Sequence, residues 1–298
     1  MKVRIIASVL ALALASMGAL AAPGAVVEGV QMPAWVERGG VRQPLAAGME
    51  LRESDKVSTG QNSRLLLRLA EGSQVKLGEN AQLTLDRLNQ RQDDRQTLLQ
   101  AAFDVARGAF RFTTDVKAKL ISRREVDIRV STVTAGIRGT DLWGKSGSDR
   151  DIVCLIEGRI SVQREAEQPV AMDQALQFYI APKTQGRADP AQRAQLAAVD
   201  QNQLLQWAAE TEIAAGQGAA RLGGKWKVVA VSSPDQAGAL AVYDKLRAEG
   251  YAAEIRPRGA GDQRAYDVRI SGLPSKAEAE SLGVRVEAVT GAKARATM

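Results

Sequence analysis

The sequence predicts a multidomain protein: a β-rich roll or sandwich domain followed by a small α+β domain of the ferredoxin-like, βαββαβ kind. Three observations carry this expectation. Apolar residues alternate with polar ones over short segments through the first half of the chain. The last 74 residues switch regularly between strand and helix patterns. The length of 298 residues suits about two domains at roughly 150 residues each.

The amino end reads as an address. Lys2 and Arg4 precede an apolar run from Ile5 to Leu14, and Ala19-Leu20-Ala21 supplies a small-x-small cleavage site. That is the pattern of a secretory signal peptide over residues 1–21. Cleavage near Ala21 would deliver the mature chain to the periplasm; the alternative is an uncleaved amino-terminal anchor. No later run reaches 18 consecutive apolar residues, so no transmembrane segment is expected in the mature chain. Loss of Lys2 and Arg4 leaves 38 basic and 34 acidic residues, a mild bias compatible with an anionic partner.

Residues 26–180 read as the β-domain. Leu65, Leu67 and Leu69 alternate with Arg64 and Arg68, and Val75 and Leu77 follow a Glu71-Gly72-Ser73 turn. Leu83 and Leu85 then follow a turn at Gly78-Glu79-Asn80. Period-two alternation broken by Gly, Asn and Ser marks strands buried on one face. Val126, Ile128 and Val130 repeat it, whereas Ile152-Val153-Cys154-Leu155-Ile156 is continuously apolar, as a central strand covered on both faces would be. Within that run Cys154 reads as a small buried hydrophobe.

Residues 181–224 read as a helical linker. Asp189-Pro190 has the chemistry of a helix cap and first turn. Leu196, Val199, Gln203, Leu204 and Trp207 recur at helical spacing before Gly216, Gly218, Gly223 and Gly224, a stripe expected to pack on a neighbouring domain rather than to recruit a partner.

Residues 225–298 carry the βαββαβ grammar. Trp226 to Val231 is a strand, and Ser233-Pro234-Asp235-Gln236 reads as a capping box before a helix lined by Ala239, Val242 and Leu246 and stopped at Gly250. Tyr251 to Arg256 and Tyr266 to Ile270 return as strands. Ser275-Lys276-Ala277-Glu278 is a second capping box, Gly291 stops its helix, and Ala292 to Thr297 closes the sheet. Trp226 and Tyr266 open two halves about forty residues apart, an internal pseudo-repeat. Strand parity sets Lys227, Val229, Glu254, Arg256, Asp267, Arg269, Lys293 and Arg295 on the face away from the helices. A basic, nearly aromatic-free face suits an anionic polymer held by charge-assisted hydrogen bonds, or is a solvated charged face. Nucleic acid is not expected, because sheets of this shape that bind RNA stack bases on aromatics and this chain is expected to be exported.

Composition removes reaction classes. With no histidine and one cysteine, Ser-His-Asp and Cys-His sites, His-bearing zinc sites, intramolecular disulfides and CxxC pairs are impossible. Gly136-Ile137-Arg138-Gly139-Thr140 lacks the Gly-Lys pair of a phosphate loop and reads as a strand turn. Asp93-Asp94, Asp149-Arg150-Asp151 and Arg123-Arg124 read as solvated charges. No cofactor, metal or catalytic residue is expected.

Two families are called up by particular residues. Gly48-Met49-Glu50-Leu51, Asp55 to Gly60, Ser63-Arg64-Leu65, Glu71-Gly72-Ser73, Leu77 to Ala81, Ala109-Phe110-Arg111-Phe112, Val130 to Thr140 and Glu157-Gly158-Arg159-Ile160 together resemble a FecR-type periplasmic domain over roughly 40 to 165. The Arg-Gly-Thr followed by a strand and Glu-Gly is the most specific piece. That resemblance implies a β-rich extracytoplasmic module without catalytic residues; the relay of iron-siderophore signals in which the family was founded needs a membrane span and cytoplasmic segment not expected here. The last 74 residues resemble a SPOR domain through Trp226-Lys227-Val228, Leu246-Arg247-Ala248-Glu249-Gly250-Tyr251 and Tyr266 to Ile270. Val229 stands where that family often has Gln, and Val231-Ser232-Ser233 where it often has Gly-Ser-Phe. The resemblance implies binding of peptidoglycan glycan strands lacking stem peptides.

The resulting expectation is a non-enzymatic envelope protein. Its SPOR-like domain would hold peptidoglycan through Lys227, Arg256, Arg269, Lys293 and Arg295, and its FecR-like domain would present a surface to an envelope protein. The alternative is a periplasmic signalling or assembly adaptor whose modules both bind proteins and no glycan.

Overall fold

The computed structural model describes residues 24–298 apart from 94–95, 118–121, 138, 166, 190 and 262–263. The expected signal peptide, and Asp94, Arg138 and Pro190 among the residues singled out above, lie outside them.

The β-domain is built around one long strand, Gln96–Thr113. Its first part pairs antiparallel with Gln82–Asp93 and parallel with Ser122–Val130. Its last part, from Gly108 onward, pairs with Gln74–Leu77 and Asp141–Ser146. Two sheets therefore share a strand and fold over a common core. One runs through Val41–Pro44, Ala34–Arg38, Lys56–Thr59, Gln82–Asp93, the long strand, Ser122–Val130, Val133–Ile137, Ile160–Arg164 and Val170–Met172. The other runs through Ala25–Gln31, Arg64–Leu69, Gln74–Leu77, the long strand, Asp141–Ser146, Arg150–Glu157, Gln177–Thr184 and Gln195–Ala198.

Alternation explains which side chains fill the space between. Val126, Ile128 and Val130 are buried while Asp127 and Arg129 are exposed. Val153, Cys154 and Leu155 are all buried in a strand paired on both edges. Phe103 and Phe112 bring their rings to 6.2 Å beside fully buried Leu65, Leu67 and Leu83. Each such side chain contributes about 1.5–3 kcal/mol by leaving water.

The stretch expected as a helical linker is a mixture of short strands, turns and a helix. Gln177–Thr184, Arg187–Ala188 and Gln195–Ala198 are extended, and a helix, α1, spans only Gln201–Thr211. Its cap is Asp200, which accepts a hydrogen bond from the Gln203 amide, not Asp189. Asp189 instead closes a turn, accepting from Thr184, Gln192 and the Ala191 amide. Leu196 is exposed on the edge strand, but the other apolar residues of the stripe do pack on the β-domain. Trp207 stacks on Trp143 at 4.7 Å and meets Phe178 edge-on, with Val199 and Leu204 in the same cluster as Cys154. Burial pushes the Cys154 thiol up to about 12, with Asp141 adding to the shift.

The C-terminal domain has the expected order. Trp226–Ser233, helix α2 (Gln236–Ala248), Glu254–Arg258, Ala265–Leu273, helix α3 (Lys276–Thr290) and Arg295–Thr297 form a two-layer unit. The antiparallel strand order is 254–258, 265–273, 226–233, 295–297. Both caps differ from the capping boxes expected. Helix α2 is capped by Asp235, two residues after Ser233, through the Gly238 amide. Ser275 does cap α3 through the Glu278 amide, but the Glu278 carboxylate turns away and accepts from the Gly216 and Ala219 amides at 2.7 and 2.9 Å.

That diverted carboxylate belongs to a firm junction between the two domains. Ala219–Arg221 pairs antiparallel with Gly29, Val30 and Gln31, so the last segment before the C-terminal domain is an edge strand of the β-domain. Arg285 on α3 donates to the carbonyls of Met32, Gln217 and Gly218. Burial holds its guanidinium below its ordinary pKa, partly offset by Tyr251 and Glu278. The Ala34 amide donates to the Gly250 carbonyl. Apolar side chains of both domains merge into one core.

Candidate functional site

The face of the C-terminal sheet away from α2 and α3 is built by register. Val228, Val268 and Ile270 point into the helical layer and are fully buried. The alternate positions give one row across all four strands, Arg295, Val229, Arg269 and Glu254. A neighbouring row holds Thr297, Lys227 and Ser271. On the other side Ser232, Asp267 and Arg256 align. A bulge between Val229 and Val231 lets Ala230 turn inward without disturbing either flank. The unbroken apolar run Val228-Val229-Ala230-Val231 is its trace in the sequence.

Of the five basic residues expected here, the structure brings Arg256 and Arg269 together through an acidic one. Glu254 receives Arg269 Nε and Ser271 Oγ on one carboxylate oxygen, each at 2.9 Å, and Arg256 on the other, with Nη2 at 2.8 Å. Burial by itself would raise the Glu254 pKa, but the hydrogen bonds from Ser271, Arg269 and Arg256 outweigh it and hold the carboxyl below its usual range. Arg295 lies two strands away from Arg269, with Val229 between them. Only 5% of Val229 is exposed. Lys227 and Arg295 make no ion pair among the described residues. Lys293 is exposed and precedes the last strand, so it lies beyond the strand rows that parity assigned it to. Ser271 was not singled out in the sequence, although the same alternation places it on this face; Ser232 reaches the face only through the bulge and donates to Asp267 at 2.6 Å.

The motif residues of the β-domain hold strands together. Arg111 grips Asp141 through two hydrogen bonds of 2.9 and 2.7 Å, joining the Ala109-Phe110-Arg111-Phe112 and Gly139-Thr140-Asp141 segments. Arg38 grips Asp55 in the same two-point manner. Thr59 Oγ1 donates to the Gly78 carbonyl and accepts from the Ala81 amide. Gly158 has φ +99°, and a Cβ there would come within 2.6 Å of Thr140 Cγ2, which accounts for the pairing of Arg-Gly-Thr with Glu-Gly.

A polar cleft of about 700 Å³ opens in the β-domain beside α1, lined by Arg64, Glu79, Arg107, Lys145 and Glu210 among others. Both its carboxylates are engaged, Glu210 with Lys145 at 2.8 Å and Glu79 with the Asn62 amide. Among the described residues no cluster of three or more cysteine or acidic side chains could hold a metal ion, and no helix is long and apolar enough to cross a membrane.

Comparison with known proteins gives two family matches in the order expected. Residues 55–161 match the FecR protein family and residues 222–294 match the SPOR domain. Neither family is catalytic, and both are associated with the cell envelope. Two crystal structures of a candidate anti-sigma factor from Parabacteroides distasonis, 12% identical, align with 79% of this chain and with 92% and 91% of their own, at TM-scores of 0.39 and 0.38. No curated protein matches the chain.

Proposed function

For a chain that carries a FecR domain followed by a SPOR domain, we propose a non-enzymatic role in the bacterial periplasm. The outer face of the C-terminal sheet holds peptide-free glycan strands of peptidoglycan, and the β-domain presents a surface to an envelope protein. The observation that carries this reading is the SPOR match falling on a sheet whose outer row sets Arg295 and Arg269 on either side of a nearly covered Val229. SPOR domains bind peptidoglycan, and the lactyl carboxylates of peptide-free glycan are the groups that guanidinium and ammonium donors grip best. Lys227 and Arg295 are the primary anion contacts, because Glu254 already occupies Arg256 and Arg269. Lys293 supports the same track from the loop before the last strand.

That occupation also favours a second reading. A face with two of its arginines internally paired, and with Val229 where the family often carries Gln, suits a protein-contact surface in an adaptor that binds no glycan.

Co-sedimentation of the mature chain with purified sacculi, before and after an amidase strips the stem peptides, separates the two. Binding that rises on stripped glycan and falls at least tenfold in a Lys227→Ala/Arg295→Ala variant supports glycan recognition. Absence of binding to either preparation leaves the adaptor reading.

A further inference from the structure

The row Arg295, Val229, Arg269, Glu254 ends on the edge strand Glu254–Arg258, and Glu254 is shared with a second feature. A groove of about 440 Å³ lies between that edge and the β-domain. Its apolar floor comes from both domains, Met32, Ala47 and Met49 on one side and Ala252 and Ala253 on the other. Its polar rim is Gln43, Arg221, Arg247, Glu254 and Ser271. Arg247 meets the Tyr243 ring at 5.3 Å but no carboxylate, and the half-buried Gln43 side chain makes no hydrogen bond to protein, both among the described residues. An apolar floor with a few polar groups at its rim, in this size range, is the usual make-up of a small-ligand site. The pairing of Ala219–Arg221 with the β-domain and the Arg285 contacts fix its two walls relative to each other.

We infer that this groove is a second saccharide subsite, continuous with the sheet face and completed by the β-domain, in which Arg247 takes a carboxylate and Gln43 a hydroxyl or amide of an acidic sugar chain. The inference rests on the glycan-binding reading above. Successive strands are about 4.8 Å apart, so the row carries a ligand across the sheet and delivers its end to the groove. The FecR domain then contributes directly to recognition, and affinity depends on chain length.

The test uses the full mature chain and peptide-free glycan oligomers of two and of four disaccharides, with affinity measured by calorimetry. Wild type is expected to bind the longer oligomer about tenfold more tightly, one well-made charge-assisted contact being of that order. Gln43→Ala/Arg247→Gln is expected to erase that gain while leaving the short oligomer and the unfolding midpoint unchanged. A wild type that binds the short oligomer without gaining from the longer one overturns the groove and leaves the sheet face standing. So does a variant that keeps the gain. A wild type that binds neither oligomer overturns both.

Discussion

Gly250 of the C-terminal domain sits against the indole of Trp35 of the β-domain, so close that a Cβ there would fall 2.5 Å from two ring carbons. Its φ of +83° is one that L side chains rarely adopt. The same indole carries the Arg42 guanidinium 4.1 Å from its centroid. A loop glycine that ends α2 is thus also a point of close contact between the two domains.

Gly250→Ala is expected to lower stability by about 2 kcal/mol, from backbone strain and from displacement of the ring. Combined with Trp35→Ala, the glycine substitution should cost less than it does alone, because the clash with the ring is gone and the backbone term and a 2.9 Å approach to Pro33 Cβ remain. Denaturant unfolding of the four proteins in that cycle checks both statements. Additive costs would show that the contact couples nothing.

Asp151, expected from the sequence as a solvated charge, is instead buried between strands in a pair with Lys183. The ammonium is 2.7 Å from Asp151 Oδ1, with side-chain exposures of 3% and 0%. Thr132 donates to the other carboxylate oxygen through both its amide and its hydroxyl. Lys183→Met leaves the carboxylate without its counter-charge and is expected to cost about 3–5 kcal/mol. Lys183→Met/Asp151→Asn, which removes both charges, should recover part of that loss. Thermal unfolding midpoints of the three chains are the readout.

Trp207→Ala removes the ring stacked on Trp143 and is expected to cost about 2–3 kcal/mol, somewhat less than a fully buried tryptophan. It also unroofs the cluster that contains Cys154. In the native protein the thiol, buried and with its pKa at about 12, should resist a maleimide at neutral pH. The variant should label measurably faster under the same native conditions. Equal labelling rates would mean that α1 does not guard this pocket.

Glu254 supplies a pH dependence. Its folded pKa lies below the unfolded carboxyl value of 4.5, so its contribution to stability is complete above that value. It is lost as pH falls from there through the depressed folded pKa. Between pH 6 and pH 3 the unfolding midpoint of wild type should fall further than that of Glu254→Gln, in which this titration is absent. The two curves should approach each other at the acid end.

What could be read in advance was local. Val126, Ile128 and Val130 announced a strand with one buried face, and the continuous 152–156 run announced a central one, because strand periodicity is written in neighbouring residues. The four strands and two helices after Trp226 were legible for the same reason, and so were Lys227, Arg256, Arg269 and Arg295 on one face. What was not legible depends on partners far away in the chain. Asp189-Pro190 has the chemistry of a helix cap, yet 177–184 and 195–198 pair with each other and keep that region extended. Glu278 reads as half of a capping box, but the amides it binds lie some sixty residues earlier. Glu254 was counted as one acidic residue among basic ones. That it engages two of those arginines at once follows from register across the sheet, which composition does not express.

The short strand Ala219–Arg221 leaves four residues, Leu222 to Lys225, before the C-terminal sheet begins. With Arg285 and Glu278 clasping the other side, no slack remains between the domains. The molecule therefore behaves as a set square. Whatever line the outer sheet lies along, the β-domain stands at one fixed angle to it, and a partner met there would be presented in a single orientation.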